Sequence, residues 1–185
     1  MKLFDAYTPR LSVEPIAPRH APGIQRHAND ARIADMTPLP HPYPEDGARR
    51  FIAGARNAWT AGRAYNFAVC FDDEAVGTCG LKGVRTTEEG YREAELGYWI
   101  GVPFWGRGFA SAAVRLVTTF AFETLGLDRV TAVVLTRNEA SARVLEKAGF
   151  EVTGSGAATT GCGEEGEPLE RYALDAADWQ AARSA

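Results

Sequence analysis

The residues best suited to chemistry lie together in the middle of the chain. Glu95 stands in Glu95–Val102 (ELGYWIGV), a run whose apolar and aromatic residues are typical of a strand. After Pro103 come Gly106 and Gly108, and an amphipathic helix begins directly behind them. Glycine lets a backbone turn tightly and approach a ligand closely, and the first turn of a helix presents unpaired N–H groups and the positive end of its dipole. The segment therefore predicts an anion site that suits a pyrophosphate.

Two other phosphate-binding patterns are excluded by the residues around these glycines. A P-loop requires Gly-Lys-Ser/Thr at the turn, whereas Gly108 is followed by Phe109 and Ala110. A dinucleotide fingerprint requires a third glycine and an acidic residue at the end of the next strand, and this chain has neither at the required distance. The ligand is therefore expected to be a phosphate-bearing cofactor held by main-chain N–H groups from Gly106 to Ala110.

Composition limits the classes of partner. A chain of 185 residues with 45% hydrophobic and 24% charged residues is sufficient for one domain with its own core. The net charge is −4 and no basic run or basic–aromatic stripe occurs, so no nucleic-acid partner is expected. No run of eighteen apolar residues exists and the N-terminus, MKLFDAYTPR, lacks a signal-peptide core. No membrane partner and a cytoplasmic location are expected.

The cysteines and histidines predict no metal site. Cys70, Cys79 and Cys162 are an odd number without metal-ligand spacing, which fits a reducing compartment. Cys70 and Cys79 fall on two strands of an expected hairpin, where they should be small buried hydrophobes. The three histidines, which include His20 and His41, are scattered along the chain.

The apolar pattern predicts an alternation of strands and helices. Between residues 91 and 135, a strand, a helix and a second strand have the lengths of a βαβ unit, so these two strands should be parallel with a right-handed crossover. Polar connections are expected over 84–90 and Gly161–Pro168. Strands are predicted over 10–15, 64–71, 75–83, 91–102, 129–135, 151–155 and 169–174, and helices over 18–36 (interrupted at Pro22 and Gly23), from 45 to Gly62, from Gly108 to Gly126 and from Asn138 to Gly149.

Three motifs together resemble a known family. They are ELGYW from Glu95, Trp105-Gly106-Arg107-Gly108-Phe109-Ala110, and an Asn-x-x-Ser helix that begins at Asn138 and ends in Glu-Lys-Ala-Gly-Phe. This constellation resembles the GNAT superfamily of acyl-CoA N-acyltransferases, nearest to its ribosomal-protein N-terminal (alanine) acetyltransferase branch, over residues from about 10 to 174. The resemblance implies an α/β fold: a mostly antiparallel central sheet with one parallel βαβ pair and flanking helices. It also implies a single N-acetyltransferase domain over residues 1–185.

The resemblance implies acetyl-CoA as co-substrate, no metal, and direct attack of a primary amine in a ternary complex. In the family, a bulge in the first parallel strand supplies a main-chain N–H to the thioester carbonyl, which here falls around Trp99 to Gly101. Arg107 is either a charge partner of the pyrophosphate or a solvated cation. The cofactor-binding residues are expected to be Ile100, Val102, Gly106, Arg107, Gly108, Phe109, Ala110, Asn138 and Ser141.

Two residues are candidates for proton transfer. Glu95 is the candidate base for the amine, or else a structural carboxylate satisfied by neighbouring donors. Leu145 stands where many relatives have a tyrosine acid, so that role is excluded there. Ser141 is the substitute: it either protonates the leaving thiolate or only contacts the cofactor and supports the helix start after an Asn138 cap. Tyr98 is expected to pack in the core.

The acceptor is open at this stage. His41 and Tyr43 lie in a proline-stiffened segment that, by resemblance, covers the acceptor site, although the same segment could be a simple connector. The N-terminus of a ribosomal protein and small amines both stay candidates, and so does a homodimer. The alternative function is a non-catalytic acyl-CoA-binding sensor or interaction domain of the same fold.

Overall fold

The computed structural model describes residues 2–4, 8, 10–158 and 163–184. Within them, one eight-stranded sheet has the order β1-β2-β3-β4-β5-β6-β8-β7. The strands are β1 (Leu3–Phe4), β2 (Leu11–Pro15), β3 (Ala64–Phe71), β4 (Glu74–Thr86), β5 (Arg92–Ile100), β6 (Arg129–Leu135), β7 (Glu151–Ala157) and β8 (Pro168–Asp175).

The helices flank this sheet. They are α1 (Ala21–Ala28), α2 (Ala31–Ala34), α3 (Gly47–Thr60), α4 (Phe109–Thr119), α5 (Glu139–Lys147) and α6 (Ala176–Ser184), with short 3₁₀ turns at Pro18–His20 and Val102–Phe104 and a π-helical turn, Phe120–Thr124, that extends α4. None of these helices is both long enough and apolar enough to cross a membrane.

Only one pair of strands in the described sheet is parallel. β5 and β6 run in the same direction with α4 between them in sequence, whereas the other neighbouring strands are antiparallel. The predicted fold class, a mostly antiparallel mixed sheet with one parallel βαβ pair and flanking helices, is confirmed.

The parallel pair separates soon after it forms. β5 and β6 are paired over three residues, from Glu93 opposite Arg129 to Glu95 opposite Thr131. Beyond that point β5 stays bonded to β4 as far as Ile100, while β6 stays bonded to β8 as far as Leu135. The middle of the sheet is therefore open between the carboxyl ends of two parallel strands, which is where open sheets bind ligands.

Each face of the sheet has its own core. On the α4 face, Phe67 and Val117 are fully buried, and on the opposite face Ile24 of α1 and Ile52 of α3 pack against β3. Along α3 the apolar residues recur at helical spacing: Ala48, Ile52 and Ala55 are buried, and Ala58 and Trp59 are half-buried.

Two local predictions were wrong, and two elements were missed. Pro22 does not interrupt a helix: it lies in the first turn of α1, where its missing N–H costs nothing, and the helix stops at Asn29 instead. β4 does not end at Gly83 but continues through the predicted connection to Thr86. Its pairing with β5 shifts register between Lys82 and Arg85, and Gly83 adopts a left-handed backbone conformation there. β1 and α6 have short or weakly amphipathic sequences and were not predicted.

The cysteine predictions can be checked at two of three positions. Cys70 on β3 and Cys79 on β4 are buried free thiols, as expected for the hairpin, and burial raises the pKa of Cys70 to about 12. Cys162 lies outside the described residues. No group of three or more His, Cys, Asp or Glu side chains in the described part of the chain is arranged to hold a metal ion.

Candidate active site

A cleft of about 1340 Å³ occupies the opening between β5 and β6. Its walls come from both separated strands, from the first turns of α4 and α5, and from the α1–α2 region with the loop behind it. Most residues predicted for the site line it: Tyr43, Glu95, Ile100, Gly106, Gly108, Phe109, Ala110, Asn138 and Ser141. Three predicted residues, His41, Val102 and Arg107, do not belong to its described lining.

The glycine turn opens directly into this cleft. Gly106 and Gly108 have φ of +74° and +76°, a backbone region that other residues rarely adopt. A Cβ atom at either position would meet no atom within 4 Å, so the turn is not covered in those directions. Gly108 caps α4 without any side-chain bond, no acidic residue lies in the first turn, and the first helical hydrogen bond runs from Ala112 N–H to Gly108 C=O. The turn fits an anion.

Arg107, which is outside the described cleft lining, points to two aromatic rings, one of which (Phe104) does line the cleft. Its guanidinium carbon lies 5.5 Å from the centre of the Phe104 ring and 5.8 Å from that of Phe71, which is within the range of a cation–π contact.

Trp105 makes a contact that sequence reasoning missed. Its indole Nε1 donates a 2.6 Å hydrogen bond to the carbonyl of Ile100, and its ring is half exposed. Ile100 is the last residue of β5, and Val102 behind it belongs to the 3₁₀ turn rather than to the strand. The tryptophan therefore links the glycine turn to the edge of β5 along which a cofactor arm would lie.

The expected bulge is not at Trp99 to Gly101. Pairing between β4 and β5 is continuous from Lys82 opposite Glu95 to Gly77 opposite Ile100, and the register shift lies beyond Lys82. The Gly101 N–H donates to Val76 C=O at 2.7 Å. Because N–H direction alternates along a strand, the N–H of Ile100 points to the edge that faces the opening. Of Trp99, Ile100 and Gly101, Ile100 is therefore the residue whose N–H faces the opening.

Asn138 and Ser141 form the predicted cap at the start of α5. Asn138 Oδ1 accepts from the Ser141 N–H at 3.1 Å. Tyr98 is not simply packed: its hydroxyl lies 2.7 Å from Ser141 Oγ and 3.2 Å from the Ser141 carbonyl. Burial, offset in part by the bond to Ser141, raises the pKa of Tyr98, so the phenol stays protonated. Leu145 is fully buried nearby.

Glu95 lies on the other face of β5 from Tyr98. Its Oε1 is 2.9 Å from Lys82 Nζ on the neighbouring strand, and both side chains line the cleft. Glu95 is half-buried, so its carboxylate can reach water within the opening. The split sheet thus places a carboxylate on one face and a hydroxyl pair on the other.

The two residues predicted at the acceptor site lie in different environments. Tyr43 is buried against Gly47, and burial raises the pKa of its hydroxyl. His41 is exposed two residues earlier and precedes a cis peptide bond to Pro42.

A mixed sheet whose single parallel pair separates beside an uncapped, glycine-led helix N-terminus defines the acyl-CoA N-acyltransferase class of fold. Residues 10–151 match the family described as Acetyltransferase (GNAT) domain. The chain therefore belongs to the GNAT family and is by class an acetyltransferase.

A curated relative and two solved structures support this assignment. YoaA of Bacillus subtilis (strain 168), described as an uncharacterized N-acetyltransferase, is 43% identical over 81 residues, or 44% of this chain and 44% of that protein. The chain thus spans less than half the length of that relative in the match.

The solved structures show the same fold. Ribosomal-protein-S5-alanine acetyltransferase of Vibrio fischeri superposes with a TM-score of 0.83 at 20% identity, over 97% of this chain and 98% of that one. RimJ of Mycobacterium smegmatis, solved in complex with CoA-disulfide, gives 0.81 at 22% identity, over 94% and 89%.

Proposed function

We propose that this protein transfers the acetyl group of acetyl-CoA to a primary amine by direct attack in a ternary complex. The observation that carries the proposal is the open glycine turn at Gly106 and Gly108, which presents the N-terminus of α4 to the cleft between the separated strands. A pyrophosphate suits such a turn, because main-chain N–H groups and the helix dipole both favour an anion there. The acceptor is a protein N-terminal α-amine or a small amine, and the expected location is the cytoplasm.

The two halves of the ligand have separate binding groups. Main-chain N–H groups from Gly106 to Ala110 hold the pyrophosphate, and Arg107 can leave its aromatic contacts to pair with a phosphate. The pantetheine arm follows the unpaired edge of β5 beside Ile100 and reaches Asn138 and Ser141 on α5. RimJ, which is similar in fold, was solved in complex with CoA-disulfide, and this supports a CoA ester as the ligand.

Glu95 is proposed as the base on the acceptor face. An α-amine with a pKa near 7.8 is roughly 14% neutral at pH 7, whereas a lysine amine near 10.4 is only about 0.04% neutral. An α-amine therefore requires little assistance, and Glu95 can take its proton directly or through water. The neutral nitrogen attacks the thioester carbon while the Ile100 N–H stabilises the oxyanion.

Ser141 is proposed to complete the reaction on the opposite face. When the C–S bond breaks, the electron pair stays on sulfur, and the thiolate takes a proton from Ser141 Oγ. Tyr98, within hydrogen-bond distance of that oxygen, holds the Ser141 hydroxyl in place, and water in the open cleft restores the Ser141 proton. Tyr98 is thus a positioning residue that acts through Ser141.

One observation is also compatible with a second function. Leu145 fills the position of the commoner tyrosine acid and is fully buried, which is also what a non-catalytic acyl-CoA-binding sensor of this fold would show. The retained set of Glu95, Ser141 and Tyr98 favours the enzyme, because a sensor has no use for proton-transfer groups on both faces of the cleft.

The test compares acetyl-CoA binding by the wild type and two tryptophan variants. Gly108→Trp fills the space in front of the turn and should abolish measurable binding in calorimetry. Gly90→Trp is the matched control, since Gly90 also has a positive φ and an open side-chain direction but lies outside the cleft lining. The control should bind like the wild type. A wild type that binds no acetyl-CoA would contradict both functions, while binding without thiol release against any amine would favour the sensor.

A further inference from the structure

The face of the cleft that carries Glu95 has a gap in its side chains. Glu95, Gly97 and Trp99 alternate onto this face of β5, and on β4 the residue opposite Gly97 is Gly80. Two glycines in register leave the sheet bare between the Lys82–Glu95 pair and Trp99. We call this bare surface the glycine floor.

The floor is open above Gly97 and closed above Gly80. A side chain at Gly97 would meet no atom within 4 Å, and Gly97 is exposed although it lies inside a paired strand. A side chain at Gly80 would press on Asn66 Oδ1 at 2.7 Å. Glu95 and Trp99 are four residues apart, so the floor is about 13 Å long along β5. A group bound there would lie beside the proposed base.

Apolar side chains form part of the cleft lining on this face of the sheet. Trp99 packs with the α1–α3 core, and the surrounding side chains that line the same cleft come from α2, the loop behind it and α3. They are Met36, Leu39 and Phe51, which are half-buried, and Ile33, which is buried. An acceptor that covers the floor therefore removes apolar surface from water, which favours an apolar group next to its amine.

The charges of the cleft disfavour an acceptor with several amines. Its described lining contains six basic side chains and three acidic ones. Each acidic group already has a cation: Glu95 has Lys82, Asp35 has Arg137 and Glu139 has Arg143. A polyamine needs unpaired carboxylates for its remote ammonium groups, and the described lining offers none. The same positive excess suits the phosphates of a CoA ester.

We infer that the acceptor is a primary α-amine with an apolar side chain on the neighbouring carbon and a single positive charge, and that Gly97 sets the size of group admitted. This inference rests on the proposed acetyl transfer and names its substrate class. Two sources share this chemistry: the amide or ester of an apolar amino acid, and a peptide that begins with an apolar residue.

An acceptor panel tests the substrate class. With acetyl-CoA and thiol release as the readout, leucinamide should exceed glycinamide in kcat/KM by roughly ten- to hundredfold, the worth of burying its side chain. Both have similar amine pKa values, so the difference reports on the apolar group. Spermidine should have the lowest kcat/KM of the three acceptors. If either spermidine or glycinamide had the same kcat/KM as leucinamide, the inference would be overturned. A peptide beginning with leucine that outperforms leucinamide identifies a polypeptide as the source, and the reverse identifies a small molecule.

Variants of Gly97 test the floor. Gly97→Leu should reduce kcat/KM for leucinamide at least roughly tenfold while the Kd for acetyl-CoA stays unchanged, and Gly97→Ala should cause a smaller reduction. Gly54→Leu, which adds the same side chain into open space on α3 outside the cleft lining, should be without effect. Full activity of Gly97→Leu would overturn the role of Gly97. Absence of acetyl-CoA binding by the wild type is a different result and would remove the proposed function itself.

Discussion

The contact between Tyr98 and Ser141 is the residue-scale feature that most affects how the chemistry is understood. From sequence, Ser141 alone was the candidate acid and Tyr98 was assigned to packing. The structure places the two hydroxyls 2.7 Å apart on different elements, β5 and α5. Their meeting depends on the distance at which α5 packs beside the separated strands, which spacing along the chain does not encode.

Replacement of Tyr98 by phenylalanine removes the hydroxyl without removing the ring. We expect kcat to fall roughly tenfold or more, because Ser141 loses the hydroxyl that orients it, while KM for acetyl-CoA changes little. Steady-state kinetics measure this. Ser141→Ala should cost more, and the double variant should be no worse than Ser141→Ala, since the tyrosine acts through the serine.

Tyr172→Phe is the matched control for this prediction. Tyr172 is also buried, and its hydroxyl donates to Glu170 at 2.8 Å rather than to Ser141. Its removal should leave kcat near the wild-type value. An equal loss of kcat in both variants would show that Tyr98 has only a packing role.

At the scale of elements, the pattern of apolar residues is sufficient to predict β3, β5, β6 and α3, because the hydrophobic period of each is strong and its boundaries are clear. It failed where local and tertiary preferences disagree. Pro22 looks like a helix breaker unless the position of the first turn is known, and the extension of β4 to Thr86 depends on partners in β5. Main-chain positions such as the Ile100 N–H follow from register, so a sequence can name the strand but not the donor.

The β2 strand contains a buried carboxylate that links folding to pH. Glu14 is buried, which would raise its pKa, but hydrogen bonds from Lys2, Arg19 and Ser12 outweigh burial and lower the pKa from 4.5 to about 2. The folded state thus binds fewer protons than the unfolded state. This stabilisation is complete above about pH 4.5 and is lost as the pH falls toward 2.

His20 adds a second acid-sensitive group beside Glu14. Burial, followed by the charge of Arg19, lowers the pKa of His20 below its ordinary value of 6.5, so its neutral form is favoured by folding. Its contribution is present above about pH 6.5 and declines below it.

We predict that Glu14→Gln lowers the free energy of unfolding at pH 7 by on the order of 2 kcal/mol, which corresponds to about 4–8 °C in Tm.

Thermal unfolding followed by circular dichroism from pH 7 to pH 3 measures this effect. The gap in Tm between wild type and Glu14→Gln should narrow below pH 4.5, because only the wild type has the carboxylate to protonate. A gap that stays constant down to pH 3 would show that the loss comes from packing rather than from charge.

At the scale of the whole molecule, the cleft is bridged near its acceptor side by one arginine. Arg137, just before the α5 cap, donates to Asp35 Oδ2 at 2.7 Å and to the Asp35 carbonyl at 2.7 Å, and it also pairs with Glu167 ahead of β8. These residues come from three segments far apart in sequence. The bridge ties the α2 region to the opposite half of the split sheet. This region supplies apolar side chains of the cleft lining on the face of the glycine floor, which we call the apolar wall.

Arg137→Met should free the α2 region without unfolding the protein. Exposed ion pairs contribute roughly 0–1 kcal/mol, so Tm should change by only a few degrees, whereas hydrogen exchange over residues 31–39 should become several-fold faster. KM for the acceptor should rise with that mobility while KM for acetyl-CoA stays near its original value, since Arg137 holds the wall rather than the glycine turn. Arg143→Met is the control: Arg143 also lines the cleft, but it pairs with Glu139 within α5 and bridges nothing. If both variants left exchange over 31–39 unchanged, the wall would be held by its own apolar packing, and the specificity of the floor would not depend on the bridge.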